Sequence, residues 1–413
     1  MKNEIYIGDN YEVLTNKAFR DKYINKIKLI YIDPPYNTLN KKSYKDKTDS
    51  DYWAEFMECR LDASKDLLKE DGAIFISIDD NEFASLRIIC DKIFGKENFV
   101  GTFITQQAQR SNAKYINTVH EYIICFAKNK KKLQQFQVNR MEIPEDYKMI
   151  TKLKAEVKKI CDTKGYEVAN KEMKNIVKNY CEEYNISWLK NYSNVDENGR
   201  IYFAVDLSTP SNPREVNIPE IGLKLAPLPT RGWISDKRFI ELFNKKRLCF
   251  KGDRPYSKLY IEEAMDNAPS ILKFYSRHGT NDLKKLGLNN LFDTPKPVEL
   301  IKFLIRISTK PQDIILDYFA GSGTTAQAVY ELNKEENRKN SYVLVQIDEQ
   351  IDPKTSVYKK CKEFKIQPSM KNILKCRINT FLEKQNIKKD YTIYEEMEEI
   401  KIEWRWYYKY WRI

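Results

Sequence analysis

The stretch Lys28-Leu29-Ile30-Tyr31-Ile32-Asp33-Pro34-Pro35-Tyr36 decides the fold. A short, nearly continuous apolar run reads as a strand buried on both faces, the kind found in parallel sheets. The two prolines that follow fix φ near about −65°, remove two N–H donors, and push the residue before each of them towards an extended conformation. The strand therefore stops at Ile32, and its carboxyl end carries a rigid loop.

Working outward, similar runs recur at Ile5-Tyr6-Ile7, Ala73-Ile74-Phe75-Ile76-Ser77-Ile78 and Tyr122-Ile123-Ile124-Cys125-Phe126. Between them, Tyr52 to Lys69 and Glu82 to Phe94 carry apolar residues at helical spacing, with Asp71-Gly72 and Gly95 as stops. This alternation is that of βαβ units. From Lys128 the texture turns lysine-rich and weakly periodic, then rich in Pro and Asn around Pro210 to Pro229. The α/β pattern returns after Leu291: a helix from Pro297 to Ile307, the strand Ile314 to Tyr318, a glycine-bearing turn, a helix through Tyr330, and the strand Tyr342 to Val345. The expected architecture is α/β, a doubly wound, mostly parallel sheet made from 1–128 and 291–386. An α+β insert occupies 129–290, and 387–413 forms a C-terminal extension.

A chain of 413 residues exceeds one average domain. Its 71 Lys and Arg against 59 Asp and Glu leave a net charge of +12, which favours a polyanionic partner. The eight cysteines lie far apart with no Cys-x-x-Cys pair, and only two histidines are present, so reduced thiols and no metal site are expected. Met1-Lys2-Asn3-Glu4 begins no apolar leader, and no stretch approaches the roughly 20 apolar residues of a membrane span. A soluble cytoplasmic protein without a membrane partner is the expectation.

Two motifs carry chemistry. The loop Asp33 to Tyr36 can present the Asp33 carboxylate and the Pro34 carbonyl as two acceptors converging on one amine, beside the aromatic face of Tyr36. Such a pair suits an exocyclic NH2 group, because it holds the amine and draws its lone pair out of ring conjugation. The plain alternative is a strand-to-loop turn, since Asp-Pro often initiates turns. The second motif, Asp317-Tyr318-Phe319-Ala320-Gly321-Ser322-Gly323-Thr324-Thr325, again ends a strand and opens a helix. Its glycines permit positive φ and close approach of a ligand, and the free N–H groups of a helix start attract an anion. A nucleotide-like cofactor is implied. With Ala326 the turn also satisfies the dinucleotide pattern Gly-x-Gly-x-x-Ala, which keeps a nicotinamide oxidoreductase in contention; no Gly-Lys-Ser/Thr follows, so it is not a P-loop.

Together the Asp-Pro-Pro-Tyr loop and the Phe-Ala-Gly-Ser-Gly turn resemble the two signature motifs of amino-methyltransferases acting on DNA. Here the catalytic loop precedes the cofactor turn, with the basic insert between them. That order resembles the permuted β class, in particular the modification subunits of type III restriction systems. Gly8-Asp9-Asn10, Ile76 to Glu82, His120-Glu121-Tyr122-Ile123 and Asp293-Thr294-Pro295-Lys296-Pro297 extend the likeness, which is weakest from Lys128 to Thr230. The resemblance implies a circularly permuted class I S-adenosylmethionine-dependent fold, an inserted target-recognition domain, and methyl transfer to N6 of a flipped-out adenine in double-stranded DNA. A homodimer and a separate restriction subunit go with that resemblance, with a solitary methyltransferase as the alternative.

By the same resemblance Asp33, Pro34, Pro35 and Tyr36 are catalytic, with Tyr36 stacked on the base. Asp317, Phe319, Gly321, Gly323 and Thr324 would hold the methionine and ribose parts of the cofactor, together with Asp33. Thr294, Lys296 and Pro297 would close over its carboxylate, and Asp9 and Asn10 would meet its adenine; both of the latter also suit an N-cap. Relatives carry an acidic residue at the end of the second cofactor strand for the ribose, where this chain reads Val345-Gln346-Ile347-Asp348, leaving Gln346 or Asp348. Arg110, Arg231, Trp233 and Arg254 are the candidate DNA contacts. The tail Trp404 to Tyr408 suits packing better than stacking on nucleic acid. Transfer to cytosine N4 uses the same loop, with serine more often at the position of Asp33. A DNA-binding protein without activity would leave both motifs unused.

Overall fold

The computed structural model describes residues 2–38, 49–106 and 115–395. It divides into two compact units: Met1–Phe136 with Ala268–Ile413, and Gln137–Asn267.

The first unit is built on one nine-stranded sheet. In chain order its strands are β1 (Asn3–Ile7), β2 (Ile27–Ile32), β3 (Leu68–Ile78), β4 (Phe99–Gln106), β5 (His120–Ala127), β6 (Ile271–Leu272), β7 (Ile314–Asp317), β8 (Ser341–Gln346) and β9 (Tyr391–Tyr394). Across the sheet they run β6-β4-β5-β3-β2-β7-β8-β1-β9. Only β5 is antiparallel to its neighbours, β3 and β4. The central strands β2 and β8 are buried at every residue, as helices on both faces require. Even Lys28 inside β2 is 1% exposed, its ammonium paired with Asp71 at 2.9 Å.

The helix expected over Tyr52 to Lys69 spans Ser50–Lys65 and ends early, because the buried Leu68 already opens β3. The helix after the dipeptide Lys296-Pro297 runs Val298–Ser308, with Pro297 as its N-cap. None of the eight cysteines forms a disulfide. No helix among the described residues is long and apolar enough to cross a membrane.

The second unit is α+β. Two long helices, Pro144–Lys164 and Tyr166–Glu183, meet at Gly165, whose φ of 86° makes the corner. They pack Leu153, Val157, Met173 and Val177 into one apolar cluster. A four-stranded antiparallel sheet, in the order Leu248–Lys251, Arg254–Tyr260, Ile201–Asp206, Asn194–Val195, completes the unit with a second cluster around Trp233, Phe239 and Leu242. This unit is narrower than the 129–290 insert expected from composition. Residues after Asn267 return to the large sheet, since Ile271–Leu272 pairs with β4. At the other end Tyr391–Tyr394 pairs with β1, so the described part of 387–413 joins the sheet. The tail Trp404 to Tyr408 lies outside the described residues.

Candidate active site

Four strands, β1, β8, β7 and β2, lie side by side and parallel, so the segments leaving their carboxyl ends converge. Ligands bind at this edge of an open parallel sheet. The convergence encloses a cavity lined by Asp9 and Asn10 after β1, Asp33 and Pro35 after β2, Asp317 to Ser322 with Thr324 and Thr325 after β7, and Gln346, Ile347 and Glu349 after β8. Tyr31, Phe56, Phe292, Thr294, Pro295, Lys296 and Met370 complete the wall.

The turn after β7 is held by its own backbone and by buried polar supports. Gly321 and Gly323 have φ of 53° and 84°, a region that costs other residues strain. A Cβ on Gly323 would also sit 2.7 Å from Leu374 Cδ1. The Gly321 N–H donates to Gln346 Oε1 at 2.7 Å. Beneath the turn the fully buried Arg377 donates to Ser322 Oγ (2.8 Å), Thr324 Oγ1 (2.7 Å) and Gln327 Oε1 (3.0 Å). Burial pulls the Arg377 guanidinium down to about 10. The 3%-exposed Asp317 accepts from Thr325 Oγ1 at 2.5 Å and from the Phe319 N–H at 3.0 Å. Burial outweighs these bonds and pushes its carboxyl up to about 7.

The loop after β2 is held from outside. Trp53 Nε1 donates to the Pro35 carbonyl at 2.7 Å, which gives this core residue a second task. The Lys296 ammonium reaches three groups at once: Tyr36 OH at 2.6 Å, Glu121 Oε2 at 2.7 Å and Asp33 Oδ1 at 3.3 Å. Burial works against its charge, but Asp33 and Glu121 outweigh burial and hold it above the ordinary lysine value. Burial also raises the Tyr36 phenol well above its usual value, helped by the same two carboxylates. Tyr36 is 7% exposed, and its hydroxyl is held by Lys296. On the antiparallel strand β5 alternation places Glu121 here, while His120 bonds Tyr122 OH at 2.7 Å, a partner outside the cavity wall.

After β1, Asp9 caps the next helix through the Tyr11 N–H at 2.8 Å and pairs with Arg60 at 2.8 Å. Asn10 donates to the Tyr318 carbonyl at 2.7 Å and accepts from Arg60 Nε. Arg60 thus ties the first strand's end to the site, a role that nothing in its helical spacing announces.

Several expected residues fall elsewhere. Pro297 caps a helix outside the cavity, and Pro295 lines it instead. Asp348 pairs with Lys371 at 3.4 Å and is absent from the wall, whereas Glu349, one residue on, lines it. Gln346 spends its side chain on Gly321 and the Ile347 carbonyl. Gly279 was not singled out, yet a Cβ there would strike the Pro295 carbonyl oxygen at 1.8 Å, so the approach of the Thr294-to-Lys296 segment demands glycine. In the second unit Trp233 is 5% exposed and donates to the Ala226 carbonyl at 2.9 Å, a core residue and no stacking platform. Arg231 is exposed, and Arg254 pairs with Asp206 at 2.9 Å. Arg110 lies outside the described residues.

A family model described as DNA methylase matches residues 27–354. The Mod subunit of the type III restriction-modification enzyme EcoP15I from Escherichia coli is 30% identical over 407 residues, covering 85% of this chain and 59% of that protein. The EcoPI Mod subunit of Escherichia phage P1 is 30% identical over 406 residues, covering 86% of this chain and again 59% of its own length. The type II methyltransferase M.KpnI of Klebsiella pneumoniae is 30% identical over 380 residues, 86% of this chain and 83% of that one. The chain therefore spans about three-fifths of the length of the two Mod subunits it matches.

Proposed function

This chain belongs to the DNA methylase family, and on that premise we propose that it transfers a methyl group from S-adenosylmethionine to N6 of adenine at specific sites in double-stranded DNA. One observation carries the reading: the Asp33 loop and the Asp317–Thr325 turn open onto one cavity from adjacent parallel strands. A circularly permuted class I topology fits, because β7 with its glycine turn comes late in the chain yet lies beside β2.

The residues suit the cofactor. Gly321 lines the cavity without a Cβ, Asp317 and Glu349 offer carboxylates, and Phe56, Phe292 and Phe319 offer apolar walls for an adenine. Glu349 takes the ribose place that the sequence left to Gln346 or Asp348. When bound, the cofactor supplies an electrophilic methyl group on a sulfonium.

Adenine N6 is unreachable within a duplex, so the base must leave the stack to enter the cavity. Asp33 and the Pro34 carbonyl then accept hydrogen bonds from the two amine N–H groups and aim the nitrogen; as the new N–C bond forms and S-adenosylhomocysteine leaves, one of those N–H protons is lost. This is catalysis by orientation and electrostatics, with no covalent enzyme intermediate. The second unit, Gln137–Asn267, is the candidate for reading the DNA sequence, with the exposed Arg231 and Arg254 as contacts. Cleavage in a restriction-modification setting would fall to a separate subunit.

DNA incubated with the protein and S-adenosylmethionine, then sequenced with detection of modified bases, tests the reading. Adenine marks confined to one motif are expected, with Asp33→Ala lowering transfer by at least ~10²-fold. Modified cytosines, or no marks, would overturn it.

A further inference from the structure

We propose that Lys296 is a positioning residue for methyl transfer, a cation that keeps Asp33 ionised and Tyr36 aligned with Glu121 as counter-charge, in place of the cofactor-carboxylate role its motif suggests. The inference rests on the methyltransferase reading above.

An ammonium has three hydrogens and no acceptor. Lys296 donates to Tyr36 OH at 2.6 Å and Glu121 Oε2 at 2.7 Å, and its charge pairs with Asp33 Oδ1 at 3.3 Å. Its side chain is only 14% exposed, so little water can substitute. Two carboxylates, Asp33 and Glu121, already share this ammonium. The arrangement therefore serves the Asp33 loop. A protonated Asp33 would donate where the amine needs an acceptor, and a cation at 3.3 Å favours the ionised form.

Titratable groups near Asp33 include Lys296, Glu121, Tyr36, Tyr31 and Asp317. Burial keeps both tyrosines neutral, and Asp317 gains its charge only above about 7. Of these, Lys296 favours the charge of Asp33 and Glu121, sharing the same ammonium, opposes it.

The test measures kcat against pH at saturating DNA and cofactor, and S-adenosylhomocysteine binding by calorimetry, for the full chain and three variants. Lys296→Met should lower kcat at neutral pH by ~10²-fold and move the acid limb up by about one unit or more, while the Kd for S-adenosylhomocysteine stays within about threefold. Lys296→Arg should keep the limb in place. Glu121→Gln should move it to lower pH, the opposite direction, since a neighbouring negative charge is gone. An unmoved limb in Lys296→Met and Glu121→Gln would overturn the proposal. So would a Kd at least tenfold weaker in Lys296→Met with kcat intact, the signature of a cofactor ligand. If Lys296→Met fails to fold, the limb of Glu121→Gln decides. A wild type that transfers no methyl to DNA overturns this inference and the proposed function together, whereas active wild type with unmoved limbs overturns the inference alone.

Discussion

The turn after β7 and the loop after β2 leave the same edge of the same sheet, on strands that pair directly through Leu29 with Ile315 and Ile30 with Leu316. They are made rigid by opposite means. The turn relies on left-handed glycines, a buried guanidinium and side-chain bonds to its own backbone. The loop relies on prolines and on clamps from three distant segments: Trp53, Glu121 and Lys296. A site for a tightly held ligand can be preformed by backbone shape, whereas a site that must set the charge on one carboxylate needs partners of both signs. Variants of the turn should therefore lose binding and stability, and variants of the loop should lose rate.

The strongest break comes from Gly323→Ala. A residue with a Cβ at φ 84° is strained by ~1–2 kcal/mol, and the 2.7 Å approach to Leu374 adds an overpacking cost of ~1–3 kcal/mol. Thermal unfolding should show a clear fall in midpoint, and the Kd for S-adenosylhomocysteine should weaken by ~10²-fold. A stable variant that binds normally but turns over slowly would erase the distinction between the two regions.

Trp53→Phe probes the loop with a smaller effect. It keeps an aromatic in the core position but loses the bond to the Pro35 carbonyl, about 1 kcal/mol of positioning. We expect kcat to drop by ~5–10-fold, with S-adenosylhomocysteine binding within about twofold of wild type. Weaker binding at unchanged kcat would mean that the indole supports the turn.

The same contrast explains what could be read from the sequence. Asp33 to Tyr36 and Asp317 to Thr325 were legible because their chemistry is local: a proline pair and a glycine pair each dictate backbone shape where they stand. Trp53, Arg60, Arg377 and Gly279 were not, since their roles depend on contacts across 18 to 55 positions or on a neighbouring segment's approach. Trp53 does fit a core face; the spacing that shows this says nothing of where its N–H points. Glu349 lines the cavity one residue beyond Asp348, which the course of the backbone after β8 turns towards Lys371. In the second unit the two long helices did carry an apolar register, Ile150, Leu153, Val157 and then Ala169, Met173, Val177. Their dense lysines, exposed on the other faces, made the period look weak. Trp233 was read as a contact because arginines adjoin it in sequence, yet burial at 5% assigns it to the core.

The subtlest test concerns whether the turn, too, carries an electrostatic setting. Asp317 is pushed up to about 7 by burial, against an ordinary value of 3.8. A carboxyl raised on folding contributes most when protonated, below its unfolded value, and that contribution is lost as pH rises through its folded value. Without cofactor, then, Asp317 should weaken the fold progressively between about pH 4 and 7. Asp317→Asn keeps an acceptor for the Phe319 N–H and cannot ionise. The variant should be the more stable protein at pH 8, by a margin that closes towards pH 4 in denaturant titrations. A margin that does not change with pH would show that Asp317 is not set by burial. The loop would then remain the only half of the cavity whose charge the fold controls, with Lys296 as its means.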